Sequence, residues 1–223
     1  MTPRNPPALL LFDLDGTLVD SAPDLAGAAN DLRAVHGLLP LPYPVLRPMV
    51  GSGARGMVGV AFGVTPADAR FADLRDAFLA RYAQRLLHST QVFDAMQPVL
   101  DRLDAAGLRW GIVTNKAMRF TGPLVAGLGL AARATVVIAG DTTPFAKPHP
   151  EPLFEAARRV GVAPGHCAYV GDDQRDVQAG RAAGMVTLAA AWGYLGQGEP
   201  VATWGADHVL SSPAALLQWL DLA

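Results

Sequence analysis

The chain has 223 residues, of which 51% are apolar and 17% charged, and its 18 Lys and Arg against 20 Asp and Glu leave a formal charge of -2. That composition supports one full core plus an insertion rather than two equal halves. No run of like charge marks a nucleic-acid groove or an anionic-membrane face, so neither partner is expected.

Arg4 precedes an apolar run from Ala8 to Phe12 that Asp13 ends. The run is too short for a signal-peptide core or a membrane span, and it reads as a buried strand over Ala8 to Leu14. From about Asp20 to His88 the pattern is helical throughout. Leu25, Ala28, Ala29, Leu32 and Val35 share one helix face that ends near Gly37, before a link rich in proline at Pro40, Pro42, Pro44 and Pro48. Gly51-Ser52-Gly53-Ala54-Arg55-Gly56 lacks the lysine of a nucleotide-binding loop and reads as a loop that approaches a ligand closely. Thr65 as N-cap, Pro66 at the first turn and Asp68 then predict a helix that carries Phe71, Leu74, Phe78 and Tyr82 on one face.

Beyond this stretch strands and helices alternate. Strands are predicted over Trp110 to Thr114, Thr135 to Ala139, Ala168 to Gly171 and Val186 to Ala190. Helices are predicted over about Gln97 to Ala106, Glu151 to Val160 and Asp173 to Ala183, with Gly107, Gly161 and Gly184 as stops. The expected fold is α/β: a doubly wound, Rossmann-like parallel sheet formed by residues 1–19 and 89–223, with an all-helical cap inserted at 20–88. The single Cys167 sits in an apolar run, as a small core residue in a reducing compartment would, and the cytoplasm is the expected location.

Ligands of open parallel sheets bind at the carboxyl ends of strands, which directs attention to four segments. Asp13 and Asp15 follow the first strand, and the two-residue period predicts both carboxylates on one side. Such a pair on a buried strand end is costly without a cation. Thr114 and Asn115 follow the second strand with a hydroxyl and backbone N–H groups suited to phosphate oxygens, although Thr114 as a plain helix cap is an alternative. Lys147 lies before Pro148 and Pro150, which fix its loop as a phosphate anchor. Gly171-Asp172-Asp173, with Asp176 one turn on, adds carboxylates. A site this rich in oxygen suits Mg²⁺ better than zinc. The five histidines show no ligand spacing.

In that order, Asp13-x-Asp15-Gly16-Thr17, Thr114-Asn115, Lys147-Pro148 and Gly171-Asp172-Asp173-x-x-Asp176 resemble the four motifs of the haloacid dehalogenase superfamily, and the helical insertion resembles the cap of one of its branches. The resemblance implies a Mg²⁺-dependent phosphatase of a small phosphorylated metabolite. It makes Asp13 nucleophile and metal ligand, and Asp15 the acid and base. Thr114, Asn115 and Lys147 would bind phosphate, and Asp15 and Asp172 would complete the metal ligands. Asp173 and Asp176 would sit behind them, holding Lys147 or metal-bound water. Thr114-Asn115-Lys116 and the Gly-rich segment are similar to phosphoglycolate phosphatases. Gly53-Ala54-Arg55-x-Met57-Val58, Phe93-Asp94-x-Met96, Arg119-Phe120 and Trp204-Gly205-Ala206-Asp207 resemble bacterial N-acetylmuramic acid 6-phosphate phosphatases. Both substrates carry a carboxylate, which Arg55 is expected to read. The alternatives are a sugar phosphomutase of the same family, a phospho-acceptor domain of the receiver type, and an idle phosphate-binding module. Asp15 and the cap of about seventy residues argue against the receiver.

Overall fold

Residues 6–223 are described here from a computed structural model, and Arg4 with the rest of residues 1–5 lies outside them. In chain order, β1 (Leu9–Phe12) and β2 (Val19–Asp20) lead into four helices, α1 (Ala22–Val35), α2 (Tyr43–Leu46), α3 (Gly53–Phe62) and α4 (Phe71–Arg85). After β3 (Gln91–Val92) the chain alternates through α5 (Gln97–Ala105), β4 (Trp110–Val113), α6 (Met118–Gly127), β5 (Val137–Ile138), α7 (Glu151–Val160), β6 (Cys167–Gly171), α8 (Gln174–Ala182), β7 (Val186–Ala190), β8 (His208–Leu210) and α9 (Pro213–Trp219).

Six strands form one sheet in the order β5-β4-β1-β6-β7-β8, with every neighbouring pair parallel. This is the expected doubly wound α/β architecture. Both faces of β1 are covered, which is why its sequence is an unbroken apolar run. Leu10 and Phe12 pack with Trp110 and Ile112 on one side, while Leu9 and Leu11 pack with Val113, Leu153 and Tyr169 on the other. Burying each of these leucines stabilises the fold by about 2 kcal/mol.

Several elements differ from the sequence-based expectation. The sixth strand, β8, is three residues long and carries His208, so no apolar run announces it. Helix α6 holds Pro123 and two glycines within ten residues, which hides its period. The helix predicted from Thr65 begins only at Phe71. Asp68 accepts from the Arg70 backbone N–H at 2.9 Å and pairs with its guanidinium, so the acid expected in the first turn after a Thr65 cap closes a local turn ahead of the helix instead. The apolar face Phe71, Leu74, Phe78 and Tyr82 is nevertheless buried. The Gly-rich segment is no loop either, since a 3₁₀ turn over Arg47–Ser52 runs into α3.

The two crossings into and out of the four-helix block are tied together. β2 pairs antiparallel with β3, and the buried Asp24 accepts from Ser89 N, Thr90 N and Thr90 Oγ1 at 2.8 to 2.9 Å. Trp110 and Trp204 are buried, as expected of core residues, whereas Trp192 and Trp219 are half-buried.

Candidate active site

β1 is the switch point of the sheet: the chain winds outward to β4 and β5, then returns to place β6 on the other side of β1. The carboxyl ends of β1, β4 and β6 therefore meet in one crevice. Asp13 is fixed by a backbone hydrogen bond from its N–H to Val170 O at 2.9 Å. The strand ends at Phe12, and the chain turns at Gly16, whose φ of +86° favours glycine and whose Cβ position would strike the Asp172 carboxylate.

That turn separates the two acids. Asp13 joins Asp172 and Asp176, whose ligand oxygens lie within 4.8 Å of one another. The Asp15 carboxylate is held elsewhere, by Ser21 Oγ and by Lys116 Nζ at 2.8 and 3.0 Å. Both acids line the same cavity, but the Asp15 side chain is not in the three-carboxylate group where the motif had put a ligand.

Asp172 is oriented by Thr17 Oγ1 at 2.9 Å and Tyr194 N at 2.7 Å. Lys147, with 3% of its side chain exposed, places Nζ 2.9 Å from Asp13 Oδ1, 2.7 Å from Asp176 Oδ1 and 2.7 Å from the Tyr169 hydroxyl. Its backbone is gripped by Asn115, whose amide accepts from Lys147 N and donates to Lys147 O, both at 2.9 Å. The Asn115 side chain is thus engaged in positioning Lys147. Thr114 Oγ1 accepts from Lys116 N at 3.2 Å and does not cap α6, whose N-cap is Ala117. At the head of α8, Asp173 and Asp176 form a reciprocal capping box. Arg175 grips Asp173 with two nitrogens at 2.8 Å and reaches Gly51 O on the helical block.

Burial raises the Asp13 carboxyl to about 6, with the charges of Asp176 and Asp15 adding and Lys147 opposing. Asp172 is pushed well above the carboxylate range by burial and then by Asp13 and Asp176. Burial would lower Lys147, yet Asp13 and Asp176 more than offset it and the ammonium is held above its usual range. Lys116 is raised in the same way, by Asp15 against burial.

Ionised, the three carboxylates exceed Lys147 by two charges. Asp13 Oδ1 is buried, and Lys147 Nζ at 2.9 Å meets it as an ion pair outside hydrogen-bonding geometry. An all-oxygen donor set that lacks two positive charges fits a divalent cation. Asp13, Asp172 and Asp176 are the residues able to hold it.

Above the carboxylates is a cavity of about 340 Å³. Leu25, Phe78, Leu79 and Tyr82 of the helical block form one wall, and Lys116, Arg119 and Phe120 form part of the other. Asp13, Asp15, Thr114, Asn115, Lys147, Asp172, Asp173 and Asp176 all line it; Arg55 is exposed and does not, because its neighbours Gly53 and Ala54 present the cavity side of that turn. None of the five histidines lines the cavity. Sequence reasoning missed Lys116, Tyr169 and Arg175 as site residues. Tyr169 was hidden in a strand read only for its apolar run, whereas Lys116, next to Thr114-Asn115, carried the signal of a cation just past a strand end.

The family model for haloacid dehalogenase-like hydrolases matches residues 7–184. The chain is 47% identical over 211 residues to a phosphoglycolate phosphatase of Xanthomonas campestris, with 94% of this chain and 95% of that protein covered. It is 40% identical over 214 residues to an N-acetylmuramic acid 6-phosphate phosphatase of Pseudomonas aeruginosa, covering 96% and 95%. A crystal structure of a predicted phosphoglycolate phosphatase from Haemophilus somnus superposes with a TM-score of 0.84 at 26% identity, covering 97% of this chain and 99% of that one. Among the described residues no helix is long and apolar enough to cross a membrane.

Proposed function

The chain belongs to the haloacid dehalogenase-like hydrolases, and on that premise we propose that it is a Mg²⁺-dependent phosphomonoesterase that passes the phosphoryl group through Asp13. The observation that carries this reading is the Asp13 carboxylate itself, which lies at a strand end beneath a cavity, beside a buried lysine and two further acids.

The oxygens of Asp13, Asp172 and Asp176 would hold Mg²⁺, whose charge offsets the phosphate dianion as a carboxylate approaches it. Asp13 attacks phosphorus, the bond from phosphorus to the ester oxygen breaks, and Asp15 gives its proton to the leaving alkoxide. Asp15 then takes a proton from water, the oxygen of that water attacks phosphorus, the bond to Asp13 breaks and inorganic phosphate leaves. Lys147 holds the transferred group, with Thr114 beside it, and Asn115 keeps Lys147 in place.

Residues 1–19 and 89–223 serve as the catalytic core in this reading, and 20–88 as a cap that recognises substrate and excludes bulk water. The substrate is a small phosphate ester bearing a carboxylate, either phosphoglycolate or N-acetylmuramic acid 6-phosphate, by analogy with the named relatives. A cavity of about 340 Å³ with cations in its wall suits such a ligand. The enzyme would act in the cytoplasm, with no nucleic-acid or membrane partner. Phosphate release with Mg²⁺ from a panel holding these two compounds, hexose phosphates and nucleotides tests the reading. One carboxylate-bearing substrate is expected to stand out and to be silenced by EDTA and by Asp13→Asn. Release that persists in Asp13→Asn would overturn it.

A further inference from the structure

Lys116 is a cation with only one acidic partner, and that partner has another use for its oxygens. Its Nζ lies 2.8 and 3.0 Å from the two oxygens of Asp15, with 9% of the side chain exposed, in the wall of the cavity. Asp15 also has Ser21 to hold it. Once Asp15 carries the proton that it gives to the leaving oxygen, it has lost the charge that pairs with Lys116, and the ammonium is available to another anion. Tyr82, on α4 across the cavity, stacks its ring 4.7 Å from the same ammonium. It is 2% exposed, and its buried hydroxyl lies close to the Lys116 ammonium but, among the described residues, has no partner in hydrogen-bonding geometry. Such a hydroxyl costs stability unless something else meets it.

The other cations of the cavity are engaged differently. Lys147 belongs to Asp13 and Asp176, Arg175 to Asp173 and Gly51, and Arg119 lies exposed over the Phe120 ring. We propose that Lys116 and Tyr82 form the subsite for the carboxylate of the substrate: the ammonium exchanges Asp15 for that carboxylate, and the hydroxyl donates to it. The inference rests on the phosphatase reading and adds to it the residues that select an acid. One residue comes from the sheet and the other from the inserted helices, so the subsite exists only when the two are closed on each other. The apolar walls from Leu25, Phe78 and Phe120 strengthen a charge-assisted hydrogen bond there.

The test uses matched substrates that differ by the acid: phosphoglycolate against 2-hydroxyethyl phosphate, and N-acetylmuramic acid 6-phosphate against N-acetylglucosamine 6-phosphate. For whichever pair is hydrolysed with Mg²⁺, the ratio of kcat/KM between acid and neutral member is measured in wild type, Lys116→Met and Tyr82→Phe. Lys116→Met is expected to collapse the ratio by about ten- to a hundred-fold, the worth of one charge-assisted hydrogen bond. Tyr82→Phe is expected to lower it several-fold through KM. A ratio within twofold of wild type in both variants, whatever their absolute rates, would reduce Lys116 to a holder of Asp15 and overturn the proposal. Should Lys116→Met fail to fold, the Tyr82→Phe ratio decides alone. The same ratio is also read as Kd by calorimetry on Asp13→Asn. Binding discrimination that depends on Lys116, together with a wild type that hydrolyses none of these compounds, would keep the subsite and sink the phosphatase.

Discussion

Replacing Asp13 by Asn should make the metal-free protein more stable at neutral pH while ending its chemistry. Burial and the neighbouring acids hold the Asp13 carboxyl at about 6 against an ordinary 3.8. Between those two values the folded chain binds a proton that the unfolded chain has released. Stability therefore falls as pH rises through that window and stays reduced above it. The gap corresponds to about 3 kcal/mol at about 1.4 kcal/mol per pH unit. Asparagine carries no charge, so in EDTA at pH 7.5 Asp13→Asn should gain up to that amount, or about 6 to 12 °C in Tm for a chain of this size. At pH 5 only part of the window has been crossed and the gain should shrink to about half. Mg²⁺ should act unequally on the two proteins. At a hundred times Kd it stabilises the wild type by about 2.7 kcal/mol and the variant by much less. Thermal unfolding in a matrix of pH, EDTA and MgCl₂ reads all of this. An Asp13→Asn Tm at or below wild type in EDTA at pH 7.5, or a gain that does not depend on pH, would refute the argument that buried like charge governs this site.

Lys147→Met should destabilise the metal-free protein by about 3 to 5 kcal/mol, since it strands Asp13 and Asp176 without their shared ammonium; chemical denaturation measures this, and a loss below about 1 kcal/mol would contradict the ion-pair geometry. Gly16→Ala combines a φ of +86° with a collision against Asp172, and should remove the Mg²⁺-dependent rise in Tm even where the protein still folds. Arg175→Ala releases Gly51 O and should raise KM several-fold with a smaller change in kcat, whereas an unchanged KM would mean that this bridge plays no part in closing the cavity.

The sheet was legible in the sequence because a strand buried on both faces must be apolar at every position, as Leu9 to Phe12 are. Five of the six parallel strands, the inserted helices and the convergence of Asp13, Thr114, Lys147 and Asp172 on one cavity followed from reading what comes after each such run. What escaped were features that periodicity does not encode. Both Asp13 and Asp15 reach the cavity, but no period encodes that Lys116 holds Asp15 away from the group formed by Asp13, Asp172 and Asp176. Arg55 is exposed outside the cavity, because the start of α3 presents Gly53 and Ala54 to it. Tyr169 occupies a strand position where an apolar residue would serve packing alone, and only the fold brings its hydroxyl to Lys147. Asn115 was read with the backbone N–H groups of its segment, and only the fold shows its side-chain amide gripping the Lys147 backbone.

The central claim is that Asp13 carries the phosphoryl group. An Asp15→Asn protein, which lacks the group that activates water, should be mixed with p-nitrophenyl phosphate and Mg²⁺, quenched in acid within one turnover, and digested for mass spectrometry. The p-nitrophenolate leaves without needing a proton, so the first step should survive while the second stalls. The account predicts one phosphoryl group on the peptide that contains Asp13. Release of p-nitrophenol with no phosphorylated peptide, or with the phosphoryl group on another residue, would contradict it.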